Sequence, residues 1–525
     1  MRDTKMKINQ VIVTTLVLLL MTFSVANITC YKILGLFPYF GKSHHIMFKS
    51  LMKGLAEKGH TVHVVSHYPL EVPVENYTDF SLAGSIPLPN NQKSLKYFEQ
   101  YSFDLIAQNT FKILHSHIQR HEDIMKSNAI QRLMESEERY DLIITESFSV
   151  DVTLGFVNKF QVPFIFVTSS HLPPWTSSLV ANPQNPSFVP GFVQDFSPRM
   201  TFVERLLNTL GLFYYLASWH WFNVPDNQRL IHKYFGSDTP HILDIYKNVS
   251  LILTNSHSSI TGSRPFLPNV IEVGGIHIKP PKQLPKDIKD FIESAPHGVV
   301  YFSLGSMIRA ATLSEQKKNA FTFAFSQLKE RVLWKFEEES IATNENIMIR
   351  KWMPQRDILA HPKVKMFISH CGLLGVQEAV SGRKPILGIP LTADQWRNCL
   401  ALELKGYAKV MAYRTIDNKT MLRAMQEVLE PEYADRAKQI SEIFYDRPMT
   451  PMDTATYWVE YVIRNKGAKH LRTSAVDLPF YQYLLLDVVI FIISCVSTAT
   501  YLIYYALKRI VFNRMSSQIV KTKLS

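Results

Sequence analysis

The stretch Phe367–Asn398, FISHCGLLGVQEAVSGRKPILGIPLTADQWRN, decides the fold. Val364 to Ser369 is a β-branched and aromatic run ending at His370-Cys371-Gly372, and Leu374 to Val380 carries apolar residues at helical spacing. The reading is strand, tight loop, helix. A helix begun this way points unpaired backbone N–H groups and the positive end of its dipole at the loop, which favours an anion there, most often a phosphate. Gly372 lets the backbone approach such a ligand, His370 can donate to a phosphate oxygen, and Glu378, one turn into the helix, can accept from a ribose hydroxyl. An apolar strand follows around Pro385 to Pro390, and Asp394-Gln395 then open a further helix with donors and acceptors suited to sugar hydroxyls.

Outward from this stretch the same alternation recurs. Val299 to Ser303 reads as a strand ending in Leu304-Gly305-Ser306, Thr312 and Glu315 as a capping box for a helix, and Val332 to Phe336 and Ile347 to Met353 as further strands. Ser303 and Ser306, beside Gly305 at a strand end, are placed to reach phosphates. Towards the N-terminus, Tyr31 to Phe37, a helix from Ser43 to Lys58 ended by Gly59, and Thr61 to Ser66 form a βαβ unit. Strands are expected at Leu142 to Thr145, ending at Glu146, and at Pro163 to Thr168, with a long helical region around Leu95 to Met134 between the two groups. Met200 to Phe222, rich in aromatics and Leu, reads equally as a pocket lining, a membrane-facing segment or ordinary core. A Pro- and Lys-rich linker, KPPKQLPKD, separates the two α/β runs.

The expected architecture is therefore α/β, two Rossmann-like domains facing each other, with ligands in the cleft outside the carboxyl ends of their strands. At 525 residues the chain exceeds one core, and 46% hydrophobic against 19% charged residues marks it as globular. The net charge of +12 comes from scattered Lys and Arg without interleaved aromatics, so nucleic acid is discounted. Four Cys are too few for a disulfide framework, and no Cys/His spacing suggests zinc. No Gly-x-Gly-x-x-Gly follows the first strand, which excludes a Rossmann oxidoreductase.

Both ends carry signals. Residues 1–26 have Arg2, Lys5 and Lys7, the apolar stretch Val11 to Leu20 and then small residues, the pattern of a secretory signal peptide or, alternatively, an uncleaved anchor. Residues 488–507 are uncharged and about as long as the ~20 residues a helix needs to cross a bilayer. Residues 508–525 carry Lys508, Arg509, Arg514, Lys521 and Lys523 and no acid, so the positive-inside rule makes this tail cytoplasmic and the body luminal. The last five residues resemble a Lys-x-Lys-x-x retrieval signal, which points to a single-pass type I protein of the endoplasmic reticulum membrane. Asn76, Asn248 and Asn418 head glycosylation sequons.

Taken as an ordered set, Ser369, His370, Gly372, Gly375, Glu378, Ala379, Pro385, Pro390, Asp394, Gln395 and Asn398 closely resemble the signature of UDP-glycosyltransferases of the glucuronosyltransferase type. The Gly-Lys-Ser-His, Leu-Leu and Glu-Val-Gly-Gly segments resemble invertebrate membrane-bound members. Three positions depart from the family: Cys371 stands where a second Gly is usual, Leu374 where vertebrate members often carry Asn, and Arg383 where a Gly commonly precedes the Pro. The resemblance implies a GT-B type fold, with an acceptor-binding domain at 27–280 and a UDP-sugar-binding domain at 281–470. It also implies an inverting transfer from a UDP-sugar co-substrate to a small lipophilic acceptor, with no bound cofactor, and leaves room for a homo-oligomer. The absence of Asp-x-Asp argues against a metal-bridged diphosphate, so no metal is expected.

By the same resemblance, Trp352 stacks on uracil and Gln355 hydrogen-bonds its edge, although Trp352 taken alone reads as core. His44 stands where the family places its catalytic base, a task that imidazole, with an ordinary pKa of ~6.5, suits near neutrality; its neighbour His45 points elsewhere by period. Glu146 takes the place where many relatives have Asp and would orient that imidazole; the bland alternative is a helix cap. Glucuronate-using relatives carry Arg where this chain has Thr254, so glucose is the expected sugar; UDP-glucuronate remains the alternative, with Arg397 or Lys42 serving its carboxylate. A catalytically silent relative that only binds lipophilic ligands is the competing class, disfavoured by His44, Glu146 and the donor motif standing together.

Overall fold

The computed structural model describes residues 30–523 apart from 89–92, 101–117, 149 and 339–344; the leader at 1–26 and part of the helical region around Leu95 to Met134 therefore lie outside the described residues. Two compact units divide after Arg472.

The first unit holds two wholly parallel sheets. One contains β1 (Lys32–Phe37), β2 (Thr61–Ser66), β3 (Tyr77–Ser81), β4 (Leu142–Glu146), β5 (Phe164–Thr168), β6 (Leu251–Thr254) and β7 (Val270–Glu272), in the order β3-β2-β1-β4-β5-β6-β7. The other contains β8 (Val299–Ser303), β9 (Arg331–Lys335), β10 (Ile347–Arg350), β11 (Val364–Ser369), β12 (Ile386–Gly388) and β13 (Ala408–Val410), in the order β10-β9-β8-β11-β12-β13. Helices cover both faces of each, which is why β4, β5 and β6 read as unbroken buried runs and not as alternating ones. In each sheet the chain runs one way from the central strand and returns to pair on that strand's other side, so β1/β4 and β8/β11 are topological switch points.

Helix α1 (Lys42–Glu57) follows β1, α2 (Leu373–Ser381) follows β11, and α3 (Gln395–Glu403) follows β12. A late helix, α4 (Pro451–Arg464), returns to the first sheet, where Ala455, Val459 and Val462 are buried among α1 and the strands. Glu315 does begin a helix, Glu315–Ser326, but its N-cap is Ser314. Thr312 is not the cap expected from the sequence: its hydroxyl accepts from Leu95 N–H at 2.8 Å and donates to Arg309 O. A tertiary partner 217 residues away thus takes the oxygen a local cap would have used.

The four Cys include one pair that the sequence reading did not foresee. Cys371, in the loop after β11, is disulfide-bonded to Cys399 of α3, with Cα atoms 5.5 Å apart. Cys371 lies at φ +61° and Arg383 at φ +59°. Both departures from Gly in the signature therefore fall on left-handed backbone, which explains why Gly is usual there. Cys371 is held in that conformation by the bridge, by Ser369 Oγ accepting from its N–H at 3.0 Å and by Asn398 Nδ2 donating to its carbonyl at 3.1 Å. Gly388 leaves room for the bridge, since a Cβ there would meet both sulfurs.

In the second unit, α5 (Leu486–Lys523) is apolar over Leu486–Ser517, long enough to cross a membrane, and its apolar side chains are exposed.

Two stability predictions follow from these contacts. A Cβ on Gly54 would lie 2.6 Å from the Met452 methyl carbon. That methyl is the free end of a flexible, partly buried side chain, so Gly54→Ala should cost at most about 1 kcal/mol net of helix propensity, and should turn stabilising in a Met452→Ala background. Additive melting shifts in that double-mutant cycle would contradict the packing. Cys399→Ala should cost about 3 kcal/mol through loss of the loop constraint, and adding Cys371→Gly should recover about 1 kcal/mol by relieving the left-handed side chain. Thermal unfolding checks both values, and alkylation of both sulfurs in the unreduced native protein would refute the bridge.

Candidate active site

His44 enters from the first turn of α1, directly after the carboxyl end of β1, and Glu146 is the last residue of β4. The switch point between these strands brings them together across 102 residues: His44 Nδ1 and Glu146 Oε1 are 2.5 Å apart. The Glu146 side chain is only 3% exposed and that of His44 19%, so the imidazole stays partly open while its carboxylate partner is enclosed. Ser169 Oγ donates to the same Oε1 at 3.3 Å, a contact that no motif announces. The rings of Tyr39 and Phe148 flank the imidazole at 4.7 and 4.8 Å. Glu146 bonds a side chain and no helix N-terminus, so it is not a cap. His45 is buried, packs on the Tyr68 ring at 5.3 Å, and burial pulls its pKa down to about 4; it is a core residue.

The second switch point assembles the predicted phosphate residues. Ser303 closes β8, Gly305 (φ +81°) follows it, and Gly372 is the N-cap of α2. A Cβ on Gly305 or Gly372 would lie 2.6 Å from a ring atom of His370, so the two glycines form the slot that holds this imidazole. Burial brings His370 down to about pKa 4, leaving a neutral ring that can donate one N–H, and its Nδ1 has no partner among the described residues. Ser303 Oγ accepts from Gly305 N–H at 3.3 Å, while Ser306 is partly exposed in the same loop.

Trp352 is 65% exposed after β10 and is therefore available to a ligand and not part of the core. Gln355 Nε2 donates to Glu378 Oε2 at 2.7 Å, so these two residues arrive as one unit. Gly375 makes that possible, since a Cβ there would lie 3.1 Å from the same nitrogen. Burial raises Glu378 to about pKa 7, and the hydrogen bond from Gln355 opposes the rise. At neutral pH Glu378 is thus a mixed donor and acceptor, both useful toward vicinal hydroxyls.

Asp394 is the N-cap residue of α3, yet its side chain turns to Asn398 Nδ2 at 2.9 Å. Burial raises its pKa, and the opposing influences include His44, which places this carboxylate near the His44–Glu146 pair of the other sheet. Gln395 Oε1 accepts from the N–H groups of Leu391 and Thr392 at 2.9 and 3.0 Å, leaving its amide N–H₂ to face outward. Thr254 is buried at the end of β6, where its hydroxyl donates to Ser170 O at 3.4 Å and accepts from Thr168. No group of three or more His, Cys, Asp or Glu suited to a metal ion occurs among the described residues.

The chain is similar to known proteins over most of its length. Residues 35–522 match the family described as UDP-glucoronosyl and UDP-glucosyl transferase. The chain is 43% identical over 489 residues to UDP-glycosyltransferase UGT5 of Dactylopius coccus, covering 91% of this chain and 92% of that one. It is 32% identical to UDP-glucuronosyltransferase 2B15 of Homo sapiens, covering 88% and 90%. Among solved structures, a UDP-glucosyltransferase from Polygonum tinctorium superposes with a TM-score of 0.56 at 14% identity, over 83% of this chain and 99% of that one. A glycosyltransferase of kitacinnamycin superposes with a TM-score of 0.53 at 14% identity, over 82% and 99%, so the fold is GT-B. With two sheets whose switch points hold a His–Glu pair and a phosphate-type loop, and with relatives matched along nearly their whole length, this chain belongs to the UDP-glycosyltransferase family and is a glycosyltransferase that uses a UDP-sugar.

Proposed function

We propose that the protein transfers glucose from UDP-glucose to a hydroxyl of a small lipophilic acceptor, with inversion, as a type I protein of the endoplasmic reticulum membrane. The observation that carries the mechanism is the 2.5 Å contact between His44 Nδ1 and Glu146 Oε1. It fixes the tautomer so that Nε2 is the free lone pair, which takes the proton as the acceptor oxygen attacks the sugar C1. The buried carboxylate then stabilises the imidazolium. The bond from C1 to the UDP oxygen breaks on the face opposite the attack, which inverts that carbon. UDP leaves with its diphosphate over the α2 N-terminus, His370 and Ser306, while Trp352 and the Gln355–Glu378 unit take uracil and ribose and Asp394 and Gln395 take the sugar hydroxyls. This arrangement supplies the charge stabilisation a metal would otherwise give, so UDP binding should persist in EDTA.

Glucose is favoured because Thr254, buried and neutral, stands at the position where, by resemblance, glucuronate-using relatives carry an Arg for the sugar carboxylate. Enclosing that carboxylate unpaired is costly, whereas a hydroxymethyl group incurs no such cost. Membrane anchorage rests on the apolar helix Leu486–Ser517 followed by basic residues, and Asn76, Asn248 and Asn418 are all exposed, as luminal glycosylation requires.

His44→Ala should lose about 100- to 10,000-fold in kcat while keeping its affinity for UDP, because only proton transfer is removed. Glu146→Gln should fall in rate by a smaller factor with UDP binding intact. Rates within a few-fold of wild type for His44→Ala would remove this residue from the mechanism. The donor is decided by competition: UDP-glucose should show the higher kcat/KM at equal concentrations, and a preference for UDP-glucuronate would reject the glucose assignment.

A further inference from the structure

The segment Met200 to Phe222 reads from its sequence equally as core, pocket lining or membrane face, and its fold decides between them. The helix Phe202–Ser218 starts at a capping box, in which Thr201 Oγ1 accepts from Glu204 N–H and the Glu204 carboxylate accepts from Thr201 N–H, and it runs on into a π-helical turn at Trp219–Asn223. Its inner face is anchored by a polar residue. Asn208 is buried, its Nδ2 donates to Pro186 O at 2.7 Å and to Val189 O at 2.9 Å, and its Oδ1 accepts from Gly191 N–H at 2.8 Å. That amide fixes which way the helix faces, since turning it outward would leave these partners unpaired. The apolar residues are consequently outside. Val203, Leu206, Leu210 and Phe213, at i, i+3, i+7 and i+10, form one stripe, with Phe202 at its start and Trp221 beyond its end, and all six are 47 to 71% exposed.

These side chains present on the order of 600 Å² of apolar surface, the upper end of what an ordinary soluble monomer leaves contiguous. A protein partner is met through a polar rim and directed hydrogen bonds. This helix offers neither. Its two charged residues, Glu204 and Arg205, are turned to Thr201 N–H and to Met200 O, and the Thr209 hydroxyl donates back to Arg205 O at 2.7 Å. An uncharged face edged by a Trp matches the boundary between lipid headgroups and acyl chains. A bilayer is also within reach, because the chain continues into the membrane-length helix Leu486–Ser517, and such a tether raises the effective concentration of lipid at the folded unit to about the millimolar range. We propose that the outer face of Phe202–Ser218, together with Trp221, lies in the membrane interface as a second, monotopic contact in addition to the C-terminal anchor. The contact goes beyond the transferase reading and rests on the anchorage proposed with it. A lipophilic acceptor dissolved in that membrane is thereby concentrated at the surface of the domain that holds His44.

The test uses the full chain carrying Cys30→Ser and Cys495→Ser, which leaves no thiol outside the Cys371–Cys399 bridge, reconstituted in phosphatidylcholine vesicles. A nitroxide is placed at Leu210→Cys, at Lys286→Cys on an exposed polar helix, or at Ile492→Cys in the apolar helix. Its collisions with oxygen, which dissolves in lipid, are compared with its collisions with a water-soluble nickel chelate. The label at position 210 should meet mainly oxygen, at a depth of about 5–10 Å below the headgroups, while the label at position 286 meets mainly the chelate. Adding Val203→Glu and Leu206→Glu, both at exposed positions where folding is not at stake, should make position 210 as wet as position 286. A wet label at position 210 in the parent chain would overturn the proposal. So would a label shielded from both reagents, or spin–spin broadening that disappears on dilution with unlabelled chain, since these outcomes assign the face to protein or to a second copy. Position 492 separates the two membrane readings: a deep label there with a wet one at position 210 rejects the interfacial helix alone, and wet labels at both reject the anchorage as well. No readout depends on turnover, so a failure of the transferase reading would leave the result unchanged.

Discussion

The geometry between the two sheets hangs on Gln377. This fully buried amide sits on α2 next to Glu378; its Oε1 accepts from Gly275 N–H at 3.0 Å and its Nε2 donates to Asn255 O at 3.2 Å. Asn255 and Gly275 follow the last strands of the first sheet, so the helix carrying the donor motif is pinned by both ends of one side chain to the sheet carrying His44. A buried amide with both ends satisfied is specific in register, since a slip of either backbone would leave polar atoms unpaired at about 1–3 kcal/mol each. Gly274 protects the arrangement, because a Cβ there would lie 3.1 Å from the same Nε2 and still closer to Ser256 O. Arg447 adds a second tie by donating to Gly274 O at 2.8 Å. The approach of Asp394 to His44, and with it any transfer between donor and acceptor, follows from these contacts.

What was legible in the sequence shares a physical character. Strands and helices were readable because both sheets are parallel and covered, which forces continuous apolar runs, and because each loop after a strand had to carry the chemistry that a switch point exposes. His44, Glu146, His370 and Glu378 were singled out by that logic together with the family resemblance, and the structure joins His44 to Glu146 and seats His370 between two glycines. The features that escaped depend on partners far away in the chain. Thr312 looked like a cap until Leu95 claimed its hydroxyl. Gln355 and Glu378 were read as separate ligand contacts, yet they bond each other.

The two glycine departures show how a motif tolerates substitution. Left-handed backbone costs a side-chain-bearing residue on the order of 1–2 kcal/mol. At Arg383 the cost falls on a turn between α2 and β12, where the N–H still donates to Val380 O at 3.0 Å. At Cys371 it falls between His370 and Gly372, in the phosphate loop itself, and there the chain supplies a covalent tether, a hydroxyl on the N–H and an amide on the carbonyl. The tether ends on α3, the helix opened by Asp394 and Gln395. The loop after β11 and helix α3 are thereby linked covalently, and a loop that glycine would leave free is fixed before any ligand arrives, a pre-organisation of the kind that lowers the entropy cost of binding.

Burial removes charge from the donor half of the proposed site, and the sign agrees with the task proposed for it. In the donor half it removes charge: His370 is held neutral, near pKa 4, and Glu378 is lifted to about 7. A neutral imidazole still offers a hydrogen bond to phosphate without the desolvation cost of a buried cation, and a carboxyl near half-protonation does not repel a diphosphate as a full negative charge would. In the acceptor half, Glu146 is enclosed but joined to a histidine that stays partly open to the cleft, so the charge that appears when the proton moves is already met by its partner. The donor side thus binds an anion with little charge of its own, and the acceptor side keeps its ionisable pair for the step in which charge is created. A site divided in this way would hold the charged nucleotide through dipoles and directed N–H groups and leave the change in charge to the moment of transfer, when it contributes to rate and not to ground-state affinity.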